Sequence, residues 1–151
     1  MIRIKRNAVI SAKTVGAFDE YSRKEWKALR PHRKLFYART HGLWTLYAND
    51  DPLCVIGVLK QSLIGSGIEV YFMLCRAARA HLRELIRFLC RAFRRAVKMF
   101  NVVTVAIEEG NATAATFIKF FKFRPVPVLF ENTGIKYTHY ELRASWLQQL
   151  H

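Results

Sequence analysis

The sequence predicts a mixed α/β domain organised around a strand, a long basic helix and a second strand, together spanning residues 69–107. Three observations predict it. Leu82, Leu85, Ile86, Leu89, Phe93 and Val97 repeat at three and four within residues 77–99, so one stripe of a helix faces a sheet. Residues 102–107 (Val-Val-Thr-Val-Ala-Ile) form a β-branched run suited to a buried central strand. A helix joining that run to a strand at 69–74 is a crossover, which requires the two strands to run parallel.

The remaining elements follow in order. Ile2 and Ile4 alternate with charge, as in a short first strand. Residues 15–29 hold one helix or two, with Phe18, Tyr21, Trp26 and Leu29 inward, ended at Arg30-Pro31 because the residue before proline disfavours helix. Residues 43–48 and 53–60 read as a hairpin across the turn Asn49-Asp50-Asp51-Pro52. Gly65-Ser66-Gly67 is the next turn. Asn111 caps a helix over 112–121. Two late strands, 126–130 and 137–142, flank a turn at Asn132-Thr133-Gly134. The tail from residue 144 reads as a short helix that packs on the domain or docks onto a partner. With no repeat or Pro/Gly-rich linker, residues 1–151 are expected to form a single domain.

Composition narrows the functional classes. Twenty-five Lys and Arg stand against 11 Asp and Glu, a formal charge of +14. Such a field attracts polyanions, nucleic acid first, with anionic membranes, acidic proteins and phosphorylated cofactors also open. The longest apolar run, residues 53–59, is far short of the roughly 20 residues of a spanning helix. Residues 8–12 are too short for a secretory core, so the chain is not expected to be secreted. Cys54, Cys75 and Cys90 lack metal or disulfide spacing and read as reduced, buried thiols; no metal is assigned.

Half of the net charge lies in one segment. Between Arg76 and Lys98 there are eight basic residues and one acid, Glu84. Arg83, Arg87, Arg91, Arg94 (or Arg95) and Lys98 continue a three- and four-residue step from Arg76 and Arg79, lining one helical face. A solvated outer face and a polyanion-binding face are both consistent with this pattern. The shortage of acids removes the i to i+4 pairs that normally offset like-charge repulsion. Phe117, Phe120, Phe121 and Phe123 form an aromatic patch, read as core packing or, where exposed, an interface.

The element order, with Asn111-Ala112-Thr113-Ala114-Ala115-Thr116-Phe117 and the closing Phe123, resembles the GNAT superfamily of acetyl-CoA-dependent N-acetyltransferases over nearly the whole chain. Gly57 fits the glycine often found in that family's third strand. The resemblance implies a mixed sheet, mostly antiparallel, with a parallel central pair and helices on both faces. It also implies cofactor contacts from Leu74, Arg76, Arg79, Ala80 and Asn111 if acetyl-CoA is bound, and Glu69 as general base. The plainer reading of Glu69 is a strand-end charge.

Departures from the family pattern fall where the chemistry lies. Family members bind the cofactor pyrophosphate with Q/R-x-x-G-x-G/A at the start of the central helix, where glycines let the backbone approach the anion. Here Arg79 stands at the first glycine, Ile118 where a proton-donating tyrosine is often found, and Lys122 at the glycine before Phe123. A narrower resemblance, carried by Gly110-Asn111 to Phe120 and by Lys136 to Leu142, is to the GNAT-like internal virion protein of short-tailed bacteriophages. It implies a catalytically degenerate virion or morphogenesis protein. Such a protein would use no cofactor, meet DNA or other virion proteins through its basic surface, and reside in the host cytoplasm during assembly or in the virion. Self-association stays open.

Overall fold

A computed structural model describes residues 1–60, 67–132 and 135–147. The predicted turns at 65–67 and 132–134 and the end of the tail fall wholly or partly outside them. The strands are β1 (Ile2–Arg6), β2 (Thr40–Ala48), β3 (Asp51–Lys60), β4 (Ile68–Leu74), β5 (Val102–Glu108), β6 (Arg124–Asn132) and β7 (Ile135–Arg143). They form one seven-stranded sheet in the order β1-β2-β3-β4-β5-β7-β6. Its parallel pair is β4–β5, with Ile68 opposite Val103 and Glu69 opposite Thr104, as the crossover requires. The helices are α1 (Ala12–Ala17), α2 (Glu20–Ala28), α3 (Arg33–Arg39), α4 (Leu82–Phe100), α5 (Ala112–Lys119) and α6 (Ala144–Leu147). Two compact units result, Met1–Lys60 with Tyr71–Phe88, and Gln61–Val70 with Leu89–His151.

In the first unit, residues 12–28 form two helices because two caps compete for the segment. Ser11 Oγ accepts from the Thr14 N–H at 3.2 Å, and Asp19 Oδ1 accepts from the Ser22 N–H at 2.8 Å. Pro31 does not end the helical region. It sits at the start of a 3₁₀ turn, Arg30–His32, where a missing N–H costs nothing, and α3 follows directly. Sequence reasoning missed α3 because its basic residues masked the inward pair Phe36 and Tyr37.

Those two rings join Phe18, Trp26, Leu43, Val55 and Met73 in one aromatic-rich core. Trp26 meets Phe18, Phe36 and Tyr37 edge-on at 6.0–6.5 Å between ring centres. At Gly57 a Cβ would overlap the Tyr71 ring, which packs at 4.7 Å on Phe36, so close packing explains the glycine.

In the second unit β5 pairs antiparallel with β7, and β6 pairs with β7. Val103, Val105 and Ile107 alternate into the core with Tyr140 and Leu142 of β7. Phe93 of α4 packs at 5.1 Å against both Phe121 and Phe123, so these members of the aromatic patch are core; Phe120 is 55% exposed.

The central helix begins later than its periodicity predicts. Residues 76–81 are a 3₁₀ turn, and α4 proper starts at Leu82. Leu85, Leu89, Phe93 and Val97 are buried as expected, whereas Leu82, in the first turn, is 40% exposed.

Candidate functional site

The end of β4 and the turn after it hold four of the five residues that the acetyltransferase resemblance assigns to a cofactor. The Cys75 N–H donates to the Leu53 carbonyl of β3 at 2.9 Å. Successive backbone groups of a strand point to opposite edges, so those of Leu74 face away from β3. Both are occupied. The Leu74 N–H donates to Ser22 Oγ at 2.9 Å, and the Leu74 carbonyl accepts from the Asp19 N–H at 2.9 Å. The junction of α1 and α2 is thus bonded along that edge, reinforced by an antiparallel bridge between Phe18 and Cys75.

Arg76 is turned toward α1. Its guanidinium donates to the Phe18 carbonyl at 3.0 Å and the Gly16 carbonyl at 2.9 Å, capping the C-terminal end of α1. Arg79 and Ala80 are exposed on the 3₁₀ turn, and Ala78 is buried beneath it. Burial pushes the Cys75 thiol up to about 12, and the fully buried Cys54 moves in the same direction. Neither thiol supplies a thiolate near neutral pH.

The second unit holds Asn111 and Glu69. Asn111 Oδ1 accepts from the Ala114 N–H at 3.1 Å, so its side chain caps α5 as expected. Ile118 is fully buried and has no proton to give. Lys122 has φ of +69°, the left-handed region that favours glycine. A lysine thus holds a conformation that glycine adopts without strain.

Glu69 is half-buried at the start of β4. Its register opposite Thr104 places it on one sheet face with Thr104, Ala106, His139 and Glu141. Burial pushes the Glu69 carboxyl above its ordinary range, and the charge of His139 pulls it partly back. Sequence reasoning missed His139. The signal was the alternation along β7, where Tyr140 and Leu142 turn inward and His139 and Glu141 turn to the opposite face. Arg143 holds Glu141 through two contacts at 2.9 and 3.3 Å.

A carboxyl with a raised pKa holds its proton more tightly folded than unfolded. Its stabilising contribution is complete below the ordinary glutamate range and is lost as pH rises through the raised value. Glu69→Gln is therefore expected to melt higher than the parent at neutral pH, the difference disappearing in acid. Melting temperatures measured across pH check this, and a neutral-pH loss would mean that the His139 charge outweighs burial.

Of the predicted stripe, Arg76 and Arg79 lie on the 3₁₀ turn before α4 and the rest lie on α4 itself. Arg83, Arg87, Arg91, Arg94, Arg95 and Lys98 are all exposed. Glu84 faces the Met1 amino group at 3.4 Å, and among the described residues no carboxylate lies within ion-pair distance of any stripe cation. The stripe is held in place by the buried apolar face of the same helix. Among the described residues no cluster of three metal-ligating side chains occurs, and no helix is long and apolar enough to cross a membrane.

No protein-family model matches the chain, and no curated protein matches it in sequence. Solved structures do match in fold. A Bacillus subtilis acetyltransferase in complex with CoA is 12% identical, with a TM-score of 0.61 over 95% of this chain and 99% of that one. A presumed acetyltransferase of the GNAT family from Desulfovibrio desulfuricans is 14% identical, with a TM-score of 0.62 over 95% and 99%. A third, presumed acetyltransferase is 12% identical, with a TM-score of 0.75 over 99% and 89%. The chain has the GNAT acetyltransferase fold, and identities this low carry the likeness no further than the fold.

Proposed function

We propose that this is a GNAT-fold protein that no longer transfers acetyl groups and instead binds the phosphate backbone of DNA through the α4 stripe. The observation that carries the reading is the row of six exposed cations on α4, with no acidic partner among the described residues. An amphipathic helix anchored by Leu85, Leu89, Phe93 and Val97 presents that row rigidly, and positioned Arg and Lys bind phosphates without reading bases.

The residues at the end of β4 do not fit acetyl-CoA. Leu74 has no main-chain group to offer, the Arg76 guanidinium is turned onto the α1 carbonyls, and side-chain-bearing residues stand where a phosphate-binding loop needs glycine. The late Gly110-Asn111 pattern supports a place among phage virion or morphogenesis proteins, where a basic surface would meet packaged or injected DNA.

The test is titration of duplex DNA at several salt concentrations, beside calorimetry with acetyl-CoA. Binding that weakens steeply with salt, with no heat from millimolar acetyl-CoA, is the expected result. Salt-independent binding would contradict the DNA reading. The raised carboxyl of Glu69 beside His139 favours one alternative, an active N-acetyltransferase with Glu69 as base. Heat from acetyl-CoA together with acetylation of an amine would select it. Mass spectrometry of purified particles tests the virion assignment, which absence from particles and assembly intermediates would end.

A further inference from the structure

The first unit contains a second basic feature, separate from the α4 stripe. A cleft of about 540 Å³ opens beside α2, lined by Phe18, Glu20, Arg23, Lys24, Lys27 and Arg76. The four cations outnumber the single carboxylate, and the volume lies within the range of small-ligand pockets. Glu20, Arg23, Lys24 and Lys27 are three and four residues apart on α2, so helical geometry places them on one face.

Two guanidiniums converge there. Arg23 Nη2 donates to the Gly16 carbonyl at 3.3 Å, and Arg76 Nη2 donates to that same oxygen at 2.9 Å. The second contact of Arg76, to the Phe18 carbonyl, fixes its plane. Neither arginine has a carboxylate within ion-pair distance among the described residues.

Bringing two like charges to one oxygen carries a repulsion that an anion between them would relieve. Each guanidinium carries five N–H donors and uses only one or two on carbonyls, so both keep donors for a further acceptor. The carbonyl bonds hold these side chains in place before any ligand arrives, which lowers the ordering cost of binding. Forked N–H donors match the oxygens of phosphate, and Lys27 adds a point charge at the rim.

We propose that this cleft binds a phosphate monoester of small-molecule size. Arg23 and Arg76 clamp its dianionic phosphoryl group, and Lys27 stands beside them in the cleft lining. The clamp points toward α1 and α2, so it does not depend on the backbone amides of the 3₁₀ turn or on the α4 stripe.

The test is NMR titration of the full chain with inorganic phosphate, 5′-AMP and adenosine. Amides of Phe18, Arg23, Lys27 and Arg76 are expected to shift with phosphate and 5′-AMP and not with adenosine. Arg23→Gln with Lys27→Gln is expected to weaken 5′-AMP binding by at least about tenfold, the loss expected on removing charge-assisted hydrogen bonds. Both changes are on exposed side chains, so the fold should persist; Lys27→Glu alone, which touches no hydrogen bond of the fold, should weaken binding in the same direction. The exposed pair Lys5→Gln with Lys34→Gln removes equal charge elsewhere and is expected to leave binding unchanged. Equal weakening by both double variants would overturn the proposal by showing a diffuse charge effect. So would equal binding of adenosine, or binding of duplex DNA with none of phosphate or 5′-AMP.

Discussion

Replacing Phe18 by alanine is expected to lower stability by about 3–5 kcal/mol, the usual cost of emptying a large aromatic from a core. In a chain of this length that corresponds to a melting temperature lower by roughly 10 °C. Phe18 has no exposed surface, meets Trp26 edge-on at 6.5 Å, and pairs its backbone with Cys75. Phe18 is also among the residues that line the Arg23–Arg76 cleft. Its removal should therefore loosen the α1–α2 junction that occupies the edge of Leu74. Urea unfolding of Phe18→Ala and Phe18→Leu measures this, and the leucine variant should recover part of the loss. A cost below about 1 kcal/mol for alanine would mean that this core does not hold the first unit together.

Neutralising the stripe should separate stability from function. The fourfold variant Arg83→Gln, Arg87→Gln, Arg91→Gln and Arg94→Gln keeps helix propensity nearly constant. It removes like-charge neighbours three and four residues apart, each unfavourable by about 0.2–0.5 kcal/mol, so the variant should be as stable as the parent or slightly more so. DNA affinity should fall, and the slope of log affinity against log salt should shrink by roughly 0.9 for each phosphate that the variant no longer neutralises. With all four arginines engaged, that is a change of about 3–4. Fluorescence anisotropy with a labelled duplex over a salt series provides the measurement. An unchanged slope in a folded variant would locate the DNA-binding surface away from α4.

Sequence alone determined much of the architecture because its signals were local. The three- and four-residue spacing of Leu85, Leu89, Phe93 and Val97 assigned the buried face of α4, and the same spacing assigned the arginines to an exposed one. The β-branched run of β5, the Asn111 cap and the hairpin turn at Asn49 were legible for the same reason. Asn49 adopts a φ of +55°, which asparagine tolerates better than most residues.

Tertiary structure decided what the chemically suggestive residues are doing. Arg76 reads from the sequence as a ligand of a cofactor pyrophosphate at the start of the central helix, yet its guanidinium turns to Gly16, sixty positions away. Leu74 bonds to Ser22, and Glu69 acquires the charge of His139, across separations that no local pattern encodes. Periodicity states which way a side chain faces. It does not state which distant donor or acceptor will be there, because chain folding and close packing choose that partner. The α4 stripe could therefore be found from its spacing, whereas the occupied edge of β4 and the paired guanidiniums beside α2 emerged only once the chain had folded.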